Sequence, residues 1–353
     1  MKEVIKLTNI IDAHVHLRTI ADKRMPLCTP HTAKFVSGML PMPNTNPHIY
    51  TSEDARKYRQ EIELVLKHFE LLGTVDIFPT IYLTPQTNVN DLVAGYLAGD
   101  VFSCKQYPRG ATTNSAEGVS GIKEMFPIYQ VMEKYGIPLH VHCEMPMDVD
   151  VDIFDSEKFA IQEMLIPILD NFPNLKVSME HITTKKAAEL VSSGRYPNLV
   201  ATVTPQHLLY DRNKMLRGGL DSNLYCMPIL KRKEHMEAIR NAVKNDERGV
   251  FLCGTDSAPH FKTDKNECGC AGVYSAPVFV EAYVKAFMEM NVLEKLQAFM
   301  SDNFCKFYGY TVPEAMQKTV VVEQVEPWKV PDVYDGIVPL FHGEELTLRA
   351  RVQ

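Results

Sequence analysis

The chain has no apolar run that approaches the roughly 18 residues a membrane-spanning helix needs. Its N-terminal segment, MKEVIKLTNIIDAHVHL, lacks the charged, apolar and small-residue order of a signal peptide. It also has no basic run, and its formal net charge is −7. Nucleic acid and anionic lipid are therefore poor candidates for partners. We expect a cytoplasmic protein that binds neither nucleic acid nor membranes, and a small anionic substrate stays possible.

Cysteine is present but is not arranged for metal or disulfide chemistry. None of the eight cysteines forms a CxxC pair, and only Cys268 and Cys270 lie close together. A zinc ribbon and a disulfide framework are therefore not indicated, and we expect reduced, mostly buried thiols. The 353 residues, with 45% hydrophobic content, are ample for a large core.

Short β-rich apolar runs alternate with longer amphipathic runs, which is typical of repeated β-α units around a parallel sheet. The predicted strands are Ile5–His16, Ala33–Leu40, Thr74–Tyr82, Val101–Gln106, Ile137–His142, Leu175–His181, Leu199–Thr204 and Gly249–Gly254. The main predicted helices are Ser52–Leu72, Gly118–Tyr135, Asp155–Asn171, Thr184–Ser192, Lys231–Val243 and Ala276–Met300.

This alternation indicates an α/β protein built as a TIM (β/α)8 barrel. Such a barrel takes about 250 residues, so the surplus is expected in loop insertions and a C-terminal extension. No linker divides the chain. We therefore expect one domain over residues 1–353, with the barrel core at about 5–310 and the extension at about 311–353.

His14 and His16 are the first candidate metal ligands. They are spaced i, i+2 at the end of the first predicted strand, so both imidazoles leave the same face and can bind one ion. The pair alone is weak evidence, because two histidines in a strand are more often satisfied within the protein or simply exposed.

Lys105, His142, His181 and Asp256 each fall at or just past the C-terminal end of a different predicted strand. In a barrel these ends converge on the face that carries the active site. We therefore predict one metal site that also includes the histidine pair. A lysine ammonium would repel a cation and has no lone pair. At a buried strand end its pKa would fall, and the neutral amine could react with carbon dioxide to give a carbamate that bridges two cations.

Nine short segments around these positions form a larger pattern: DAHVHLR, PNTN, SCKQYPRGATTNS, HVHCE, EHITT, TPQHL, CMPILKR, GTDSAPH and CGCAG. Together they resemble the class II bacterial dihydroorotases of the amidohydrolase superfamily, from Asp12 to about Tyr308. GTDSAPH and ATTNS are far more specific than HxH. The resemblance implies a homodimeric cyclic amidohydrolase that interconverts N-carbamoyl-L-aspartate and (S)-dihydroorotate in pyrimidine synthesis.

The resemblance also implies two Zn²⁺ per subunit and a catalytic Asp256 that shuttles the proton. The implied ligands are His14, His16 and Asp256 for the first zinc, His142 and His181 for the second, and Lys105, as N6-carboxylysine, bridging both. The implied substrate-binding residues are His16, Arg18, Asn44, Thr112, Thr113, His142, Met227, His260 and Ala271.

Within this set Arg18 and Asn44 would hold the substrate carboxylate, since a guanidinium fork suits that task. Alone, Arg18 could equally be a surface cation and Asn44 a turn residue. Thr112 and Thr113 would lie on a mobile loop. Thr19 stands where many cyclic amidohydrolases have aspartate, and Met227 stands where leucine is common. His207 in TPQH has no implied ligand role.

Two other functions stay open. A hydantoinase or allantoinase would use the same metal ligands on a different ring, although Arg18, Asn44 and His260 favour an anionic substrate. A catalytically silent relative would keep the barrel and lose ligands, whereas every expected ligand is present here.

Overall fold

The computed structural model describes residues 2–353, without the side chain of residue 3. Its strands are β1 (Lys2–Thr8), β2 (Ile11–Val15), β3 (Gly38–Pro41), β4 (Asp76–Ile77), β5 (Thr80–Leu83), β6 (Ser103–Gln106), β7 (Leu139–Val141), β8 (Val177–Met179), β9 (Leu199–Val203), β10 (Phe251–Cys253), β11 (Thr319–Lys329) and β12 (Glu345–Val352). Between them run the α-helices α1 (Met25–Ala33), α2 (Ser52–His68), α3 (Val89–Ala98), α4 (Phe126–Tyr135), α5 (Ser156–Ala160), α6 (Ile166–Asn171), α7 (Lys185–Ser192), α8 (Pro205–Leu209), α9 (Arg212–Leu216), α10 (Lys233–Lys244), α11 (Lys262–Glu267), α12 (Phe279–Met290) and α13 (Asn303–Tyr308).

Strands β2 to β10 form a closed parallel barrel. Strands β5 to β10 pair in sequence order, and β2, β3 and β4 pair separately. The two sheets meet where the third barrel strand breaks at Phe78 and Pro79. There Phe78 N donates to Met39 O at 2.9 Å, whereas Phe102 N donates to Pro79 O at 2.7 Å. The predicted TIM barrel is confirmed.

The barrel closes between the end of β2 and the segment after β10. Asp256 N donates to His14 O at 2.8 Å, and His16 N donates to Ser257 O at 3.0 Å. Val15 and Ser257 form a parallel bridge at the same place. Because closure occurs at these residues, it brings the HxH pair directly beside Asp256.

The predicted strand Ile5–His16 is wrong as one element. The chain reverses at Asn9, which adopts a left-handed conformation (φ 55°), and β1 leaves the barrel to pair antiparallel with β11. The barrel strands therefore begin at Ile11 and not at about residue 5. The predicted helix from Gly118 was also too long, since its α-helical part begins only at Phe126.

The C-terminal extension contains strands that were not predicted. Strands β1, β11 and β12 form a three-stranded antiparallel sheet. Buried and exposed residues alternate along β12, as expected for a sheet with one face on a core. Leu348 and Ala350 belong to the same apolar cluster as the barrel side chains. That the whole chain is one domain stays our proposal.

No helix within residues 2–353 is both long enough and apolar enough to cross a membrane.

Candidate metal centre and substrate cavity

His14, His16 and Asp256 form a compact cluster of potential ligands at the C-terminal end of the barrel. One donor atom from each lies within 4.8 Å of the others. Asp256 Oδ1 is 3.0 Å from His16 Nε2 and 3.4 Å from His14 Nε2. Burial alone would raise the pKa of Asp256, but its contacts with the two histidines hold that pKa well below its usual range. Asp256 is therefore a carboxylate, as a metal ligand must be.

Lys105 lies on β6 and is completely buried. Its Nζ has no hydrogen-bond partner within the described part of the chain and lies 5.1 Å from the centre of the Tyr107 ring. Burial lowers the pKa of Lys105 to about 8. A buried amine without an acceptor is costly, so this position suits a modified lysine that has oxygen atoms for cations.

His142 and His181 follow β7 and β8 and complete the group. The His181 ring centre lies 4.6 Å from that of His142 and 4.9 Å from that of His14. His181 Nδ1 is buried without a hydrogen-bond partner among the described residues. Burial holds the pKa of His181 well below its usual value and also lowers that of His142. Both rings are therefore neutral and able to donate a lone pair to a cation.

Glu180 is a functional residue that the sequence analysis missed. Its carboxylate accepts hydrogen bonds from His14 Nδ1 at 2.5 Å, His140 Nδ1 at 2.9 Å and Thr202 Oγ1 at 3.1 Å. A carboxylate on one ring nitrogen of a histidine leaves the other nitrogen free for a metal. The signal in the sequence is the position of Glu180 directly before the candidate ligand His181. A carboxylate buried at such a position needs a hydrogen-bond or ion-pair partner.

Two more carboxylates contact the potential metal ligands. Glu144 Oε2 lies 2.7 Å from His142 Nε2. Asp12 accepts from the backbone and hydroxyl of Thr255 at 2.9 and 2.6 Å, and it also accepts from His14 N at 3.2 Å. Because Asp12 joins the first and last barrel strands, it stabilises the register that places His14 beside Asp256.

Three site residues have unusual backbone conformations. Arg18, His181 and Asp256 adopt positive φ angles of 63°, 40° and 46°. Such angles cost free energy in a residue with a side chain and tend to cluster at functional sites. These angles follow three different strands, and we interpret them as backbone strain that positions the site side chains at a cost in folding stability.

Arg18 and Asn44 lie on the side of the cavity that faces the first two strands, and both are buried. Arg18 Nη2 is 2.9 Å from His260 Nε2, and Arg18 Nε donates to Pro259 O at 3.3 Å. No carboxylate lies within ion-pair distance of Arg18 among residues 2–353. The guanidinium is thus a buried cation available for an anionic ligand.

Asn44 connects the cavity to the loop that carries Thr112 and Thr113. Its Nδ2 donates to Thr113 O at 2.9 Å, and its Oδ1 accepts from the Tyr107 hydroxyl at 2.9 Å. Asn114 Nδ2 in turn donates to Asn44 O at 2.9 Å. These bonds hold the loop over the metal centre.

Most of the predicted site residues line one small cavity. It is lined by His14, His16, Arg18, Asn44, Tyr107, Thr112, Thr113, His142, His181, Met227, Asp256, Ala258, Ala271 and Gly272. Lys105 and His260 are not part of this lining, but each contacts a residue that is: Lys105 lies against the Tyr107 ring, and His260 lies against Arg18. A wider outer cavity shares Thr112, Thr113, Met227 and Ala271 with it and opens to the surface.

His207 lies outside the cavity lining. Its Nε2 is 3.1 Å from Pro228 O, which can only accept, so Nε2 carries the proton and Nδ1 accepts from the Thr204 hydroxyl at 2.7 Å. Burial lowers the pKa of His207 to about 4. His207 is therefore a neutral histidine that supports the backbone next to Met227.

The donor set fits divalent cations. Imidazole nitrogens, an aspartate and a carbamate are ligands that zinc accepts. Among the described residues, Lys105 Nζ and His181 Nδ1 are both buried without a hydrogen-bond partner. The barrel, the potential ligands at its C-terminal face and the adjacent cavity are typical of a metal-dependent hydrolase built on a TIM barrel.

Comparison with known proteins narrows this class. No family model matches the chain. It is 41% identical over 345 residues to the dihydroorotase of Yersinia enterocolitica, covering 98% of this chain and 97% of that protein. The crystal structure of a Campylobacter jejuni dihydroorotase matches with a TM-score of 0.88 and 32% identity over 99% of this chain and 98% of that one.

The structure of a Saccharomyces cerevisiae dihydroorotase in complex with 5-fluoroorotic acid matches with a TM-score of 0.89 and 27% identity, covering 100% and 99% of the two chains. The chain belongs to the dihydroorotase family. Its assignment to class II of that family stays a prediction.

Proposed function

We propose that this protein is a dihydroorotase that interconverts N-carbamoyl-L-aspartate and (S)-dihydroorotate in de novo pyrimidine synthesis. The observation that carries the proposal is the position of a buried, unpaired Arg18 guanidinium beside the cluster of His14, His16 and Asp256. A hydrolytic metal centre next to a buried cation suits a cyclic amide that carries a carboxylate.

The residues that would hold the metal follow from the donor set. We assign His14, His16 and Asp256 to one zinc, His142 and His181 to a second, and carboxylated Lys105 to both. When bound, two such ions supply hydroxide near neutral pH and polarise the amide carbonyl.

The protein's own groups then carry the proton and hold the ring. In the hydrolytic direction Asp256 accepts the proton of the attacking hydroxide and delivers it to the departing ring nitrogen. It can do so because its low pKa keeps it ionised before the step. In the synthetic direction the same carboxylate takes the proton from the carbamoyl nitrogen as the new C–N bond forms. It passes that proton to the carboxyl oxygen that leaves as the C–O bond breaks.

The substrate carboxylate binds Arg18, with Asn44 and His260 beside it. Arg18 gives a charge-assisted pair in a site from which water is largely excluded, where such a contact is strong. The amide of Asn44 now donates to Thr113 O. A carboxylate that takes over this donor couples substrate binding to the position of the loop with Thr112 and Thr113.

Backbone groups of Met227 and Ala271 complete the substrate site on its opposite side, where both residues line the cavity. A homodimer, on the family resemblance, and a cytoplasmic location also remain part of the proposal.

The test is turnover of dihydroorotate against two uncharged rings, dihydrouracil and hydantoin, on protein of measured metal content. We expect turnover of dihydroorotate alone, with about two zinc ions per chain. Activity confined to the uncharged rings would overturn the substrate assignment. If the protein binds zinc and hydrolyses none of the three rings, the proposal that it is an enzyme of this kind is wrong.

A further inference from the structure

Lys265 on α11 is a buried lysine that the proposed mechanism does not use. Its Nζ donates to three backbone carbonyls, at 2.9 Å to Tyr225 O, 2.9 Å to Cys270 O and 2.7 Å to Gly272 O. The side chain is 5% exposed. An ammonium group has three N–H donors, and each has an acceptor here.

This lysine has no ion-pair partner. No carboxylate within the described chain, residues 2–353, lies within 4.0 Å of its Nζ. Burial lowers the pKa of Lys265 to about 8. A buried charge without a counter-ion costs free energy. Here that cost is offset by the three carbonyl bonds, which fix the position of the backbone that accepts them.

The three carbonyls lie next to the substrate cavity. Tyr225 precedes Met227 by two residues, while Cys270 and Gly272 are the two neighbours of Ala271. Lys265 therefore joins the two backbone segments that form one side of the cavity. A direct bond from Gly272 N to Tyr225 O, at 2.9 Å, links the same segments a second time.

Gly272 shows how little freedom this region has. A Cβ at this position would lie 2.7 Å from Ala258 Cβ and 2.9 Å from His260 Cδ2, and the residue has a φ of 153°. The segment with Ala271 is thus pressed against the segment after Asp256 on one side, and Lys265 fixes its distance from Met227 on the other.

We propose that Lys265 is a positioning residue that holds the backbones of Met227 and Ala271 at the spacing the substrate ring requires. This inference rests on the proposed function, because it assigns a role in binding the same substrate. The ammonium acts only through these carbonyls and takes no part in the chemical step.

The experiment compares Lys265→Met with Lys262→Met. Both changes remove an ammonium from α11, but Lys262 is exposed, so it is the matched control. Binding of 5-fluoroorotate is measured by calorimetry on the zinc-loaded protein, together with kcat, KM for dihydroorotate, zinc content and thermal unfolding.

For Lys265→Met we expect Kd for 5-fluoroorotate and KM for dihydroorotate to rise about 10-fold, the size of effect that loss of one well-placed hydrogen bond to the ligand produces. Zinc content and kcat stay close to wild type, because no ligand or proton-transfer group moves. Lys262→Met is unchanged in every measurement.

Unchanged Kd and KM in Lys265→Met would overturn the inference. A loss of kcat and of bound zinc at constant KM would also overturn the inference, because that pattern is expected of a residue that only stabilises the fold. If Lys265→Met does not fold, Lys265→Gln decides: it keeps two donors on a shorter side chain, and a wild-type Kd would refute the positioning role. A wild-type protein that neither binds 5-fluoroorotate nor converts dihydroorotate would refute the proposed function instead.

Discussion

Replacing Glu180 by glutamine is the most informative single change at the metal centre. The carboxylate accepts from three donors: His14 Nδ1, His140 Nδ1 and Thr202 Oγ1. Glutamine has the same shape, but half of its end group is an NH₂ that donates. His140 Nδ1 bonds one carboxylate oxygen, and His14 Nδ1 and Thr202 Oγ1 bond the other. Whichever oxygen is replaced by the amide nitrogen, the new donor would therefore face a histidine N–H.

The substitution would weaken metal binding by changing the tautomer of His14. If His14 moves its proton from Nδ1 to Nε2 to avoid the new donor, the nitrogen that faces Asp256 can no longer bind a cation. Loss of such a supporting carboxylate costs about 10- to 100-fold in metal affinity, or about 1.4 to 2.7 kcal/mol.

The assay is competition for zinc against a colorimetric chelator, with circular dichroism to verify the fold. The control is Glu189→Gln on α7, whose side chain is 64% exposed and forms an ion pair with Lys185. We expect Glu180→Gln to lose zinc at lower chelator concentration, while Glu189→Gln behaves as wild type. A folded Glu180→Gln protein with wild-type zinc affinity would refute the role of Glu180 in orienting His14.

Three further predictions concern the chemistry, the substrate and the fold. Asp256→Asn should keep its fold and lose about 10²- to 10⁴-fold in kcat, as expected for loss of a proton-transfer group; a kcat near wild type would exclude the proton-shuttle role. Arg18→Ala should mainly raise KM for dihydroorotate, and an equal loss on any uncharged ring amide that the protein also hydrolyses would contradict the carboxylate assignment. Glu157 accepts from the backbone and hydroxyl of both Thr183 and Thr184, at 2.5 to 2.8 Å, so Glu157→Ala should lower the free energy of unfolding by about 3 kcal/mol. Urea denaturation of the zinc-free protein measures this, with the exposed Glu163→Ala as control, and equal stability of the two variants would show that the buried carboxylate contributes nothing.

The barrel could be predicted from the sequence because each β-α unit is encoded locally. Apolar runs such as Leu199–Val203 are buried on both faces and read as strands without knowledge of their neighbours. Two departures from the predicted strands have other causes. One left-handed residue, Asn9, separates β1 from β2. Strand β11 is set by pairing with β1, more than 300 residues away, and β12 is set by pairing with β11.

The sequence by itself determined which residues could be ligands, since His14, His142, His181 and Asp256 each stand at a strand end. Only the tertiary structure decided what surrounds them. Glu180 reaches His14 across 166 residues of chain, and Lys265 finds its three carbonyls in two separate loops. No local pattern encodes such contacts, because hydrogen-bond partners within a closed barrel are fixed by strand order and packing rather than by spacing along the chain.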